Sequence, residues 1–235
     1  MATQDTSQVP RQARTHSHAA FRAVVPMSGR SIARPCFTIG MLGDHSTRAS
    51  TDPIFTSRLV LTPIGPRDVK DLSLLYHDSQ VAYWTGPWTP TTVTSWTADM
   101  AERWVRDGVG KWMVRDRSDA SLIGRGGFSL VEVDGEKMLE LGWAVRDSRT
   151  GRGYATELGT AALHWAARYQ PDLPIVAFTE VHNRASRAVA ERLGMHTAGI
   201  IQRAGLVEGQ SGIKPDAPFA LYRLRPRKAT EIAER

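Results

Sequence analysis

Between Leu139 and Tyr169 the chain passes from an apolar stretch through a glycine-spaced turn into a helical pattern, with Thr150-Gly151-Arg152-Gly153-Tyr154-Ala155-Thr156-Glu157 at the junction. No other segment restricts the fold as much. An apolar run of strand length needs a sheet around it, and a helix that starts one tight turn later must pack back onto that sheet. Glycines let the turn approach a ligand closely, and the helix N-terminus directs unpaired N–H groups and a positive dipole end toward it. Together these features predict an anion site suited to a phosphate or pyrophosphate. A Walker-type loop requires a lysine followed by Ser or Thr, which is absent, and Gly151-x-Gly153 followed by Ala155 is a loose match to a dinucleotide loop.

The flanking patterns predict a complete α/β domain over about 55–227. Ser57 to Pro63 alternates as a first strand, and Arg67 to Asp78 carries apolar residues at 69, 72, 75 and 76, the spacing of a short amphipathic helix. Thr85 to Pro90 reads as a Gly/Pro loop, followed by a helix over Thr91 to Asp107 with Val93, Trp96, Met100 and Trp104 on one stripe. Strands are expected over Lys111–Arg115, Leu122–Val133 and Met138–Val145, the last two joined by a tight turn at Val133-Asp134-Gly135-Glu136. A helix over Tyr154–Tyr169 would bury Ala155, Leu158, Ala162, Trp165 and Tyr169. It is followed by a strand at Ile175–Glu180 and a helix over Asn183–Leu193 with Gly194 as its cap. Strands at His196–Ile201 and Pro218–Leu224 close the domain as antiparallel neighbours.

Composition narrows the function classes. The net charge is +6, yet residues 1–50 hold six arginines against Asp5 and Asp44, leaving +2 on the other 185 residues. A basic tail and not a basic groove sets the pI near 9.8, which argues against a nucleic-acid partner. The segment 1–52 shows no sustained periodicity and is compatible with disorder, a targeting segment, or a start misplaced upstream of Met27 or Met41. Residues 228–235 read as a C-terminal tail. Cys36 is the single cysteine, so no intrachain disulfide forms, and no run approaches the roughly 20 apolar residues of a membrane span. A cytoplasmic protein with no membrane partner, monomeric or homodimeric, is expected. The histidines show no metal-ligand spacing, so no metal is expected.

Upstream of the glycine turn stands Glu140-Leu141-Gly142-Trp143-Ala144-Val145; downstream stand Asn183-Arg184-Ala185-Ser186 and Glu191-Arg192-Leu193-Gly194-Met195. At these three segments the chain resembles the GNAT superfamily of N-acetyltransferases, within it the ribosomal-protein alanine (RimJ/RimL-like) branch, over roughly Ser57 to Arg225. The resemblance implies the acyl-CoA N-acyltransferase fold: a mixed, mostly antiparallel sheet with splayed middle strands and flanking helices. It also implies acetyl-coenzyme A as co-substrate. Trp143, Ala144 and Val145 would pair with pantetheine, and Gly151, Arg152, Gly153, Tyr154 and Ala155 would hold pyrophosphate. Asn183 would lie near the thioester. Trp84 and Trp88 flank a loop where relatives build the acceptor pocket. Two positions depart from the family pattern. Thr150 stands where Arg or Gln is usual, and Ala190 stands where a tyrosine usually protonates the leaving thiolate.

With that tyrosine missing, Ser186 becomes the candidate acid and Glu140 the candidate base, acting directly or through a water. A thiol pKa of about 8.5 makes the thiolate a tolerable leaving group near neutrality. A lysine acceptor, at about 10.4, must give up its proton at a cost of about 4.6 kcal/mol at pH 7, against about 1–1.4 kcal/mol for an α-amine. A weak base therefore suits an α-amine. Backbone N–H of Ala144 or Val145 would meet the oxyanion. The expected reaction is direct attack by an amine, a protein N-terminus or a small molecule, because Cys36 lies in the tail and no other thiol exists. Each residue also admits a plainer role: a cross-strand ion pair for Glu140, helix capping for Asn183 and Ser186, a solvated cation for Arg152, packing for the tryptophans. A non-catalytic acyl-coenzyme A-binding module of the same fold is the alternative that Thr150 and Ala190 favour.

Overall fold

The computed structural model describes residues 51–225 apart from Pro87 and Asp134; the expectations for residues 1–50, with Cys36, His16 and His18, and for 228–235 lie outside that range. The chain order is β1 (Ile54–Phe55), β2 (Leu59–Pro63), α1 (Val69–Tyr76), α2 (Ser79–Thr85), α3 (Pro90–Arg106), β3 (Lys111–Asp116), β4 (Leu122–Val133), β5 (Glu136–Val145), α4 (Tyr154–Tyr169), β6 (Ile175–Glu180), α5 (Arg184–Arg192), β7 (Met195–Gly205) and β8 (Lys214–Leu224). The strands form one eight-stranded sheet in the order β1-β2-β3-β4-β5-β6-β8-β7. Every neighbouring pair is antiparallel except β5 with β6. This is the mixed, mostly antiparallel sheet with flanking helices that the sequence predicts.

Alternation along the strands divides the core between the two faces of the sheet. Leu59, Leu61, Trp112, Val114, Leu139 and Leu141 pack with Leu158, Ala162 and Trp165 of α4 and Ala190 of α5. Met113, from the opposite face, packs with Leu72, Leu75 and Tyr76 of α1, Val81 of α2 and Val93 and Met100 of α3. Trp104, Trp112 and Trp165 meet edge to face at centroid distances of 5.0–5.7 Å, an arrangement that favours aromatic packing. The expected stripes hold in the main, with Val69, Trp96, Ala155 and Tyr169 only half-buried.

Three local features depart from the sequence reading. Arg67–Asp78 is not one helix: a 3-10 turn over Pro66–Asp68 precedes α1, which stops at Tyr76. Asp78 then caps a further helix, α2, by accepting from the Gln80 N–H at 3.2 Å. The aspartate that looked like the end of one helix is the start of the next. Trp84, expected to flank the loop, sits on this added helix. Both closing strands also run longer than their apolar cores, because antiparallel pairing continues from Met195↔Leu224 to Gly205↔Lys214.

Candidate active site

The parallel contact between β5 and β6 is short. Register pairs exist only at Leu139↔Ile175 and Glu140↔Val176, although β5 continues to Val145 and β6 to Glu180. On its other side β5 stays paired with β4 as far as Val145↔Gly124. Beyond Glu140, then, β5 offers one unpaired edge inside the sheet, in the wedge where the strands diverge. Trp143, Ala144 and Val145 all lie on that edge, each half-buried.

Past Val145 the chain makes a 3-10 turn over Asp147–Arg149 and enters the glycine loop. Gly151 and Gly153 have φ of 70° and 79°, the left-handed region where a Cβ costs energy, so the turn requires both glycines. Gly153 is the N-cap of α4 and offers no side chain to its first turn, leaving those N–H groups open to an anion. The Arg152 side chain is exposed, whereas the Tyr154 side chain is buried; Ala155 is half-buried. Thr150 turns its hydroxyl back to the Asp147 carbonyl at 2.8 Å. Arg149 points away from the loop, donating to Ser121 Oγ at 2.8 Å and standing 3.9 Å from Asp116. It does not replace the missing basic side chain at Thr150.

The loop is braced from β2. Arg58 donates Nη1 to the Arg152 carbonyl at 2.9 Å and lies 4.6 Å over the Tyr154 ring. Its Nε and Nη2 meet Glu157 Oε2 at 2.7 and 2.6 Å. Glu157 Oε1 accepts from Thr56, Ser57 and the Arg58 N–H at 2.6, 3.0 and 3.0 Å. Burial pushes the Glu157 carboxyl up, but these five donors outweigh it and hold it below the usual carboxylate range. Neither Arg58 nor Glu157 was singled out from the sequence, because the contact spans about a hundred residues.

Leu139 and Leu141 face α4 and α5, so Glu140, Gly142 and Ala144 face the side covered by α1–α3. Glu140 is half-buried at the apex of the wedge. Lys111, in the sequence only the first residue of a strand, shares this face. Its register partner on β4 is Gly127, whose partner on β5 is Gly142. Because Gly142 has no side chain, Lys111 reaches across both strands to it. Nζ lies 3.3 Å from the Gly127 carbonyl, and a Cβ on Gly142 would stand 3.1 Å from it. Burial lowers the Lys111 pKa to about 8, opposed by Glu140 and assisted by Arg125 and Arg103. The signal in the sequence was the run of mid-strand glycines, which marks a close approach across a sheet.

The far arm of the wedge holds Glu180 and His182, also missed by the sequence reading. Burial pushes the Glu180 carboxyl up, against backbone N–H groups of Glu180 and Leu206 and the nearby His182. The Trp84 ring lies 5.2 Å from the His182 ring, joining α2 to the loop after β6 at the wedge mouth. Trp88 is placed differently. It stacks on Tyr76 at 3.6 Å and lies 5.3 Å from Trp96, within the packing under α1 and α3. At α5, Asn183 is buried and caps the helix by accepting the Ser186 N–H at 3.0 Å. Ser186 is half-buried in the first turn, and Ala190 is buried in the core. Among the described residues no group of His, Cys, Asp and Glu could hold a metal ion, and no helix is long and apolar enough to cross a membrane.

Comparison with known proteins agrees with this geometry. Residues 58–196 match the family model of the acetyltransferase (GNAT) domain. The uncharacterized protein YkkB of Bacillus subtilis (strain 168) is 26% identical over 152 residues, 64% of this chain and 88% of its own. An acetyltransferase structure from Agrobacterium tumefaciens superposes with a TM-score of 0.59 at 25% identity, covering 75% of this chain and 95% of that one. The ribosomal L7/L12 alpha-N-protein acetyltransferase RimL, solved with coenzyme A, has the same fold, with a TM-score of 0.62 at 17% identity over 73% of this chain and 97% of its own.

Proposed function

This chain belongs to the GNAT acetyltransferase family and transfers the acetyl group of acetyl-coenzyme A, and from that premise we propose that it is an N-acetyltransferase of the RimJ/RimL type, acting on an amine by direct attack. The observation that carries the reading is the free edge of β5 from Leu141 to Val145, leading straight into the glycine loop at the start of α4. Pantetheine completes that edge as a missing strand would, through the backbone of Trp143, Ala144 and Val145. The pyrophosphate rests on the loop from Gly151 to Ala155, where Arg152 adds the one side-chain charge that Thr150 does not supply.

The thioester then reaches the face that carries Glu140. An amine arriving from the side of Trp84 and His182 meets the acyl carbon there, and Glu140 takes its proton. The developing oxyanion is met by the N–H of Ala144 or Val145. The leaving thiolate takes its proton from Ser186, whose hydroxyl is not needed as a cap because Asn183 supplies one. The lower cost of deprotonating an α-amine makes a protein N-terminus or an α-amino compound the favoured acceptor.

The test is release of free thiol from acetyl-coenzyme A across a panel of N-terminal peptides, amino acids and polyamines. Glu140→Gln should cut kcat for the best acceptor by roughly a hundredfold while leaving coenzyme A affinity unchanged. Coenzyme A binding with full turnover in that variant would remove Glu140 from the mechanism, and absence of binding would remove the site.

A further inference from the structure

Lys111 is a half-buried lysine that the transfer mechanism above does not use. It begins two strands away from the wedge, with Gly127 and Gly142 as its register partners across β4 and β5. Its Nζ ends over Gly142, where a Cβ would stand 3.1 Å away, next to the residues assigned to pantetheine and on the face that carries Glu140. Neighbouring strands lie about 4.8 Å apart, so a thioester laid along the free edge of β5 stands about one strand spacing from Nζ.

We propose that Lys111 is a self-acetylation site: with acetyl-coenzyme A bound and no acceptor in the cleft, Nζ of Lys111 takes the acetyl group. This rests on the placement of the thioester under Proposed function. Neutral Nζ attacks the acyl carbon, a C–N bond forms and the C–S bond breaks. The proton lost by nitrogen passes through Glu140 to the departing thiolate, giving Nε-acetyl-Lys111 and coenzyme A. The groups that face this amine are Glu140 on β5, Arg125 on β4 and Arg103 on α3, one acid against two bases, in a site that burial already makes hostile to an ammonium ion. An ordinary lysine near 10.4 is neutral in roughly one molecule in 2,500 at pH 7, whereas an amine of pKa about 8 is neutral in roughly one in ten. The acetamide formed has no charge and lies over Gly142, in the space the acyl group needs, so the reaction silences transfer to other amines.

The experiment incubates the full chain with acetyl-coenzyme A alone and follows acetylation of each lysine by peptide mass spectrometry. Lys111 should be modified about a hundredfold faster at pH 7 than exposed Lys70 and Lys137, at a rate that saturates with acetyl-coenzyme A and levels off above about pH 8. Lys70 and Lys137 should respond linearly to concentration. Thiol release with amines should fall in step with Lys111 modification, and Lys111→Arg should abolish that loss. Calorimetric binding of coenzyme A and thiol release with the best amine are measured on the same sample. If both are present while Lys111 reacts no faster than Lys70, the inference is overturned and the active-site reading stands. Modification without loss of amine transfer overturns the silencing, and absence of coenzyme A binding overturns the site and the inference together.

Discussion

Glu157 joins the start of β2 to the first turn of α4, and the substitution Glu157→Gln isolates its charge. Glutamine keeps Oε1 and with it the contacts to Thr56, Ser57 and the Arg58 N–H, while Oε2, which meets Arg58 Nε and Nη2, becomes an NH2 group. The Arg58 side chain is 46% exposed and that of Glu157 15%, so screening limits the lost ion pair to about 1 kcal/mol. Setting two donors face to face adds about 1 kcal/mol more. For a domain of this size a loss of about 2 kcal/mol lowers the melting temperature by about 4–8 °C.

The pH dependence has a definite sign. The Glu157 carboxyl titrates below its ordinary value in the folded protein. Its contribution is therefore complete above the unfolded carboxylate pKa and is lost as pH falls through the lower folded one. Protonated glutamate and glutamine are nearly isosteric, so the gap between wild type and variant should stay constant from about pH 7 to about pH 5 and narrow from about pH 4 down to about pH 2. Melting curves of both proteins across that range, in low salt, make the measurement. A gap that stays constant over the whole range would refute the assignment of the effect to charge. Because Arg58 also holds the Arg152 carbonyl, the variant should bind coenzyme A more weakly as well.

Two further outcomes test the local geometry. Gly126→Ala would drive a methyl group into the Leu158 side chain and to 2.9 Å from the Gly142 carbonyl oxygen, so urea unfolding should show a loss of about 1–3 kcal/mol. Asn183→Ala should cost about 1 kcal/mol because it removes the cap of α5, whereas Ser186→Ala should leave stability within about 0.5 kcal/mol and lower kcat. Equal stability losses in both would make Ser186 a structural residue.

Most of the strands and helices, the glycine turn and the strand beside it were legible in the sequence, whereas β1 and α2 were not. Each legible feature is a local consequence of periodicity, of glycine in the left-handed region at Gly151 and Gly153, and of a helix start that must follow. Capping at Asp78 was not legible, because the same aspartate suits the end of one helix and the beginning of another, and packing of Val81 selects the second. The splay of β5 from β6 is a property of two strands that are distant in sequence and share only two register pairs, and no single-strand pattern encodes where pairing stops. Long-range placement also settled the electrostatics. Arg58 and Glu157 meet across about a hundred residues, and Lys111 reaches Gly142 only because β3, β4 and β5 lie side by side in one register. By itself the sequence determined a glycine turn at the start of α4 of the kind that suits an anion. Tertiary structure decided which charges surround that turn, because Coulomb energy depends on distances that only the folded chain sets.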